Sequence, residues 1–162
     1  MRPSLFLYGA PGAGKSFLGA LLRDEYGYDF AEGDEWLTDD MVASLARGES
    51  FTAAQRDAFA DVVVDAIRRS PKRPLVVAQA MFKRSHRERI AAAHPDLRMV
   101  RVACDDAVRY ERLAARSGGV EAGLGARMVR DLEIDEGDFA IDAGAPLEPQ
   151  LEALLPGARG VS

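Results

Sequence analysis

Eight residues near the start of the chain, Gly9-Ala10-Pro11-Gly12-Ala13-Gly14-Lys15-Ser16, set narrow limits on the architecture of the whole molecule. They fit the spacing G-x-x-x-x-G-K-[ST]. They stand between a short apolar run, Leu5 to Tyr8, and a segment with Phe17, Leu18, Leu21 and Leu22 at helical spacing. Glycines let a backbone wrap tightly enough for successive N–H groups to turn inward, and the N-terminus of the next helix adds partial positive charge there. A loop of this kind cradles the phosphates of a nucleoside triphosphate. Residues Gly9, Ala10, Pro11, Gly12, Ala13 and Gly14 enclose them, Lys15 reaches the β- and γ-oxygens, and the Ser16 hydroxyl ligates Mg²⁺. The expected ligands are therefore ATP or GTP together with Mg²⁺.

The remaining pattern repeats strand and helix. Strands are expected at Leu5–Tyr8, Tyr28–Ala31, Leu75–Ala78, Met99–Ala103 and Phe139–Ile141. Helices are expected at Ser16–Glu25, Thr38–Ala46, Thr52–Arg69, Arg84–Ala93, from Asp105-Asp106 to Ala115, at Ala126–Ile134 and at Leu147–Leu155. This alternation predicts an α/β protein with a parallel sheet. With 162 residues and no linker or repeat, a single domain over 1–162 is expected.

Net charge is −5, without the basic footprint of a nucleic-acid partner. No apolar stretch is long enough to span a bilayer, and the N-terminus lacks a secretory pattern. The lone Cys104 cannot form an internal disulfide. These features predict a cytoplasmic protein whose partner is a small molecule, with neither nucleic acid nor membrane, as a monomer or homodimer.

Beyond the loop, several segments carry a resemblance. Glu32-Gly33-Asp34 stands after the second strand. Leu45-Ala46-Arg47-Gly48-Glu49-Ser50-Phe51 and Gln55-Arg56-Asp57 come next. Leu75 to Arg84 includes Lys83, Glu111 to Gly118 contains R-L-x-x-R-x-G, and Ile141 to Glu148 reads I-D-x-x-x-P-L-E. In this order they resemble the gluconate kinase and shikimate kinase group of small P-loop kinases, and the gluconate kinases more closely. The resemblance implies a three-layer α/β/α kinase fold with a five-stranded parallel sheet ordered 2-3-1-4-5, and a lid at about 116–126. It also implies ATP-dependent transfer of the γ-phosphoryl group to a hydroxyl of a sugar acid, polyol or similar polar metabolite.

The chain departs from that group where the acceptor is expected. Glu35-Trp36-Leu37 stands in place of a His-Pro segment, and Gly118-Gly119-Val120 in place of Gly-His-Phe. A ligand other than gluconate is the expectation.

Phosphoryl transfer requires positioning, charge neutralisation and a group at the acceptor hydroxyl. Asp34, at the carboxyl end of the second strand, is the candidate for orienting that hydroxyl and touching the Mg²⁺ shell. Glu32 and Glu35 are its alternates. Arg56 and Lys83 are candidates for acceptor binding, each weighed equally against an ordinary surface charge. Arg116 is the candidate lid cation over the γ-phosphate, with Arg112 at the nucleotide and Arg127 as a further substitute. Arg84, Arg87 and Arg89 read as a solvated helix face, Trp36 as a packing residue, and His86 and His94 have no metal-ligand spacing. Gln79 comes after the third strand, where hydrolysing P-loop ATPases carry an acidic residue. A nucleoside or nucleotide kinase, with Trp36 or Phe51 stacking a base, and a non-kinase nucleotide switch remain the alternative readings.

Overall fold

The computed structural model describes residues 2–105 and 132–158. Five strands and five α-helices occur among them. Nearly all of the expected helix from Asp105-Asp106 to Ala115, most of the one at Ala126–Ile134, the lid at 116–126 and Arg112, Arg116 and Arg127 lie outside the described residues.

Strand β1 (Ser4–Tyr8) is buried throughout and runs into the glycine loop. Helix α1 (Lys15–Tyr26) comes next and ends at Gly27, whose φ of 75° takes the left-handed conformation a helix stop requires. Strand β2 (Asp29–Glu32) leads into a one-turn 3₁₀ helix, Gly33–Trp36. Helix α2 (Asp39–Ala46) is capped by the Thr38 side chain, which accepts from the Met41 amide. Helix α3 (Ala53–Arg69) opens on a reciprocal capping box between Thr52 and Gln55. Then come β3 (Leu75–Ala78), α4 (Arg84–Ala93), β4 (Leu97–Ala103), β5 (Phe139–Asp142) and α5 (Leu147–Leu154).

All strand pairs are parallel, and the order is β2-β3-β1-β4-β5. This is the expected order and architecture. Side chains alternate across the sheet. Leu5 and Leu7 face a core made with Leu18 and Leu22 of α1 and Leu151 and Leu154 of α5. Phe6 and Tyr8 face the opposite core with Met41 of α2, Phe59, Val63 and Ile67 of α3, and Ile90 of α4. The sheet is thus covered on both sides, as a parallel sheet must be.

The strand order positions the site. Leu7 is in register with Ala78, and Ala78 with Glu32, so the carboxyl ends of β1, β3 and β2 lie side by side. The phosphate loop, Gln79 and Glu32-Gly33-Asp34 therefore emerge along one rim of the sheet, where open α/β folds bind ligands.

One expected element is corrected. Leu132 to Ile134 is not helical. The Glu133 amide donates to the Phe82 carbonyl at 2.8 Å, which draws this stretch across the turn after β3.

Candidate active site

The loop from Gly9 to Ser16 depends on its glycines. Gly9, Gly12 and Gly14 have φ of 152°, 80° and 106°. At Gly9 an added Cβ would stand 2.2 Å from the Val102 carbonyl oxygen, in backbone that cannot yield. The first turn of α1 begins at Lys15 with Gly14 as N-cap, and no side chain caps its amides. Uncapped helix amides beside a backbone curled by left-handed glycines make the hydrogen-bonding surface a phosphate chain requires. The residues present fit a nucleoside triphosphate. Lys15 Nζ donates to the carbonyls of Gly9 (2.9 Å) and Ala10 (2.8 Å), which holds the ammonium over the loop.

Across the rim, the Ser16 hydroxyl donates to Glu32 Oε2. Burial pushes the Glu32 carboxyl above the ordinary carboxylate range. The Ser16 hydrogen bond opposes this and the nearby Asp34 charge adds to it. A hydroxyl and two carboxylates in one place form the hard-oxygen set that suits Mg²⁺ alongside phosphate oxygens. Among the described residues, no group of three His, Cys, Asp or Glu side chains is placed to hold a metal ion by itself.

Asp34 lies in the first turn of the 3₁₀ helix, and its Oδ1 accepts from Gln79 Nε2 at 3.2 Å. Gln79 is 6% exposed, and its own Oε1 accepts from the Ala80 amide (2.7 Å), so the carboxamide is fixed at both ends. Gly33 makes room for this. A Cβ there would meet Gln79 Cβ at 2.7 Å and the Ala78 carbonyl at 2.8 Å.

Both sides open on a cavity of about 470 Å³. That is a volume suited to a small ligand. Gly12, Gly14, Lys15, Ser16, Glu32 and Asp34 line its phosphate end. Arg56 lines it too, with its guanidinium 5.2 Å from the centre of the Phe82 ring. The structure thus brings together Lys15, Ser16, Asp34 and Arg56 of the expected residues, and Glu32 of the alternates. Lys83 is the N-cap residue of α4 and is not among those lining the cavity. Trp36 packs into the core beside α2 and α3, whereas Phe51 faces the cavity.

Three positions gain weight that sequence patterns withheld. Gln79 orients Asp34. His86 reaches the cavity from α4, with Nε2 3.5 Å from Asp57 Oδ1. Arg87, expected on a solvated face, is 2% exposed. Its guanidinium lies 4.0 Å from the centre of the Tyr8 ring and donates to the carbonyls of Met81, Phe82 and Glu133. It holds Met81, whose φ of 28° is left-handed for a residue with a side chain, and thereby shapes the acceptor side. Burial pushes the Tyr8 hydroxyl up to about 12, and its bond to Asp138 Oδ2 (2.6 Å) adds to the effect.

Comparison with known proteins places the chain. The sequence pattern of the family described as AAA domain matches residues 5–130. Among curated proteins no sequence relative matches. Among solved structures, a gluconokinase from Sinorhizobium meliloti 1021 is 26% identical with a TM-score of 0.77, over 98% of this chain and 93% of that one. A sugar kinase from Janibacter sp. HTCC2649 is 21% identical with a TM-score of 0.79, over 94% and 92%. Shikimate kinase from Bacteroides thetaiotaomicron is 17% identical with a TM-score of 0.62, over 94% and 93%. The fold is that of the small P-loop kinases typified by gluconokinase and shikimate kinase.

Proposed function

Since the chain belongs to the AAA-domain family, we propose that it is an ATP-dependent kinase that transfers the γ-phosphoryl group to a hydroxyl of a small molecule. The observation that carries this reading is the shared cavity. The phosphate loop and Asp34 line one space that continues past them to Phe51, Arg56 and Phe82 and has room for a second substrate. A protein that only bound nucleotide would not need a prepared carboxylate and further cavity space beside the loop.

In this reading the loop amides and Lys15 bind the triphosphate, and Ser16 with Glu32 and Asp34 would hold Mg²⁺ or its water shell. The metal supplies charge neutralisation on the phosphates. Asp34, steadied by Gln79, orients the acceptor hydroxyl and takes its proton as that oxygen bonds the γ-phosphorus and the bond from the γ-phosphorus to the bridging β-phosphate oxygen breaks, releasing ADP. Arg116, with Arg112 beside the nucleotide, remains the proposed lid cation, and Lys83 a proposed acceptor contact. The 26% likeness to a gluconokinase supports trying sugar acids and polyols first. Phe51 at the cavity keeps a nucleoside acceptor as the second reading.

The test is coupled ADP release with sugar acids, polyols, shikimate and nucleosides, using the full chain and its Lys15→Ala variant. Acceptor-stimulated release that Lys15→Ala abolishes is the expected result. Release that no compound stimulates would leave a nucleotide switch as the better account.

A further inference from the structure

Away from the phosphate loop, the cavity wall is carbon. Helix α2 contributes Met41 and Leu45, the turn before α3 contributes Phe51, α3 contributes Phe59, and the turn after β3 contributes Met81 and Phe82. Met41, Phe59, Met81 and Phe82 are buried beneath it, while Leu45 and Phe51 form a half-exposed rim. Three polar residues stand on this side. Gln79 is held by Asp34 and Ala80, His86 faces Asp57, and Arg56 lies over the Phe82 ring.

Such a wall discriminates by chemistry. A polyol lying along it would surrender the water on each hydroxyl and find methyl, thioether and ring carbon in exchange. An alkyl or aryl group would lose only unfavourable hydration there. We propose that the acceptor is amphipathic, with a small hydroxylated head at Asp34 and Glu32 joined to an apolar body about the size of one aromatic ring. The body lies against Met41, Phe51 and Phe82. This rests on the kinase reading above and narrows its acceptor.

The experiment uses matched pairs that differ only in the apolar group: phenyl against methyl β-glucoside, and 3-phenyllactate against lactate. Calorimetry with the full chain and MgADP reads binding, and coupled ADP release reads transfer. The phenyl member of at least one pair should bind about tenfold more tightly, the scale expected for burying part of a ring. Leu45→Ser and Phe51→Ser, both on the half-exposed rim, should pull that ratio towards one, with thermal melting confirming that each folds. Equal binding within both pairs overturns the inference, and so does tighter binding of adenosine than of either phenyl compound. ADP release with gluconate or xylitol, without any phenyl preference, overturns it while sparing the kinase reading. A phenyl preference with no ADP release from any compound overturns both, because the pocket would then hold no acceptor.

Discussion

The two ends of the cavity are built by different means. At the phosphate end, eight consecutive residues do nearly everything with backbone: left-handed glycines, inward amides and an uncapped helix start. At the acceptor end, side chains from α2, α3 and the turn after β3 meet across long stretches of sequence, and a buried arginine braces the turn. The first arrangement reads one chemical shape, a phosphate chain, whatever surrounds it. The second can change ligand through a few side-chain replacements while the strand ends stay in place. One fold can therefore keep its nucleotide and vary its acceptor.

Four variants probe that contrast. Lys15→Ala removes the single cation that the loop contributes. Turnover should fall by about 10²- to 10³-fold, by analogy with losing one preorganised charge-stabilising donor, with the melting temperature little changed. Wild-type turnover in this variant would contradict the division of labour.

Arg87→Met should act on the scaffold. Three backbone carbonyls lose their donor and Tyr8 loses its stacked cation, so a destabilisation of roughly 2–4 kcal/mol is expected in urea unfolding. A neutral result would mean that the turn at Met81 holds its shape without the brace. Gly33→Ala should sharpen the comparison from inside the site. Its Cβ would push Gln79 off Asp34, raising the acceptor KM by about tenfold and the KM for ATP by less. Equal rises in both would show that the two ends are not separable.

The smallest effect is expected at His86. Burial holds its pKa below the ordinary 6.5, the Arg89 cation lowers it further, and Asp57 pulls the other way. The unfolded chain then takes up this proton at higher pH than the folded one. Stability is complete above 6.5 and declines as the pH falls through that value towards the folded pKa. His86→Gln should narrow the gap between urea midpoints measured at about pH 7.5 and about pH 5.5. An unchanged gap would mean that other groups set the acid slope.

Legibility in the sequence divides along the same line. Leu75–Ala78 and Arg84–Ala93 stand where the pattern puts them, because an apolar run bounded by Pro74 and a helix stopped before Pro95 are local signals. The phosphate loop is legible for the same reason, since its eight residues are consecutive. Strand β2 ends on Glu32, one residue beyond the apolar run, because its pairing is set by register with β3 and a charged residue gives no hint of it. Arg87 sits in a run of arginines, and its partners are carbonyls at positions 81, 82 and 133 and a ring at position 8. No pattern within one helix encodes those contacts. Nothing in the sequence separates Met41 and Phe59 from ordinary core residues, since periodicity tells which residues turn inward and not whether a ligand or a neighbour meets them.

The capping box at the head of α3 has a mechanical meaning. Gln55 does more than close that cap. Its Nε2 also donates to Asp40 Oδ2 (2.6 Å) and Ser44 Oγ (3.1 Å), both on α2. One carboxamide thus rivets two helices into an elbow, and Met41, Phe51, Arg56 and Phe59 all ride on it. Its arms cannot part without breaking both bonds at one nitrogen. Ligands of different girth must then be met by rotation of Leu45, Phe51 or Met81 within a frame of nearly constant span.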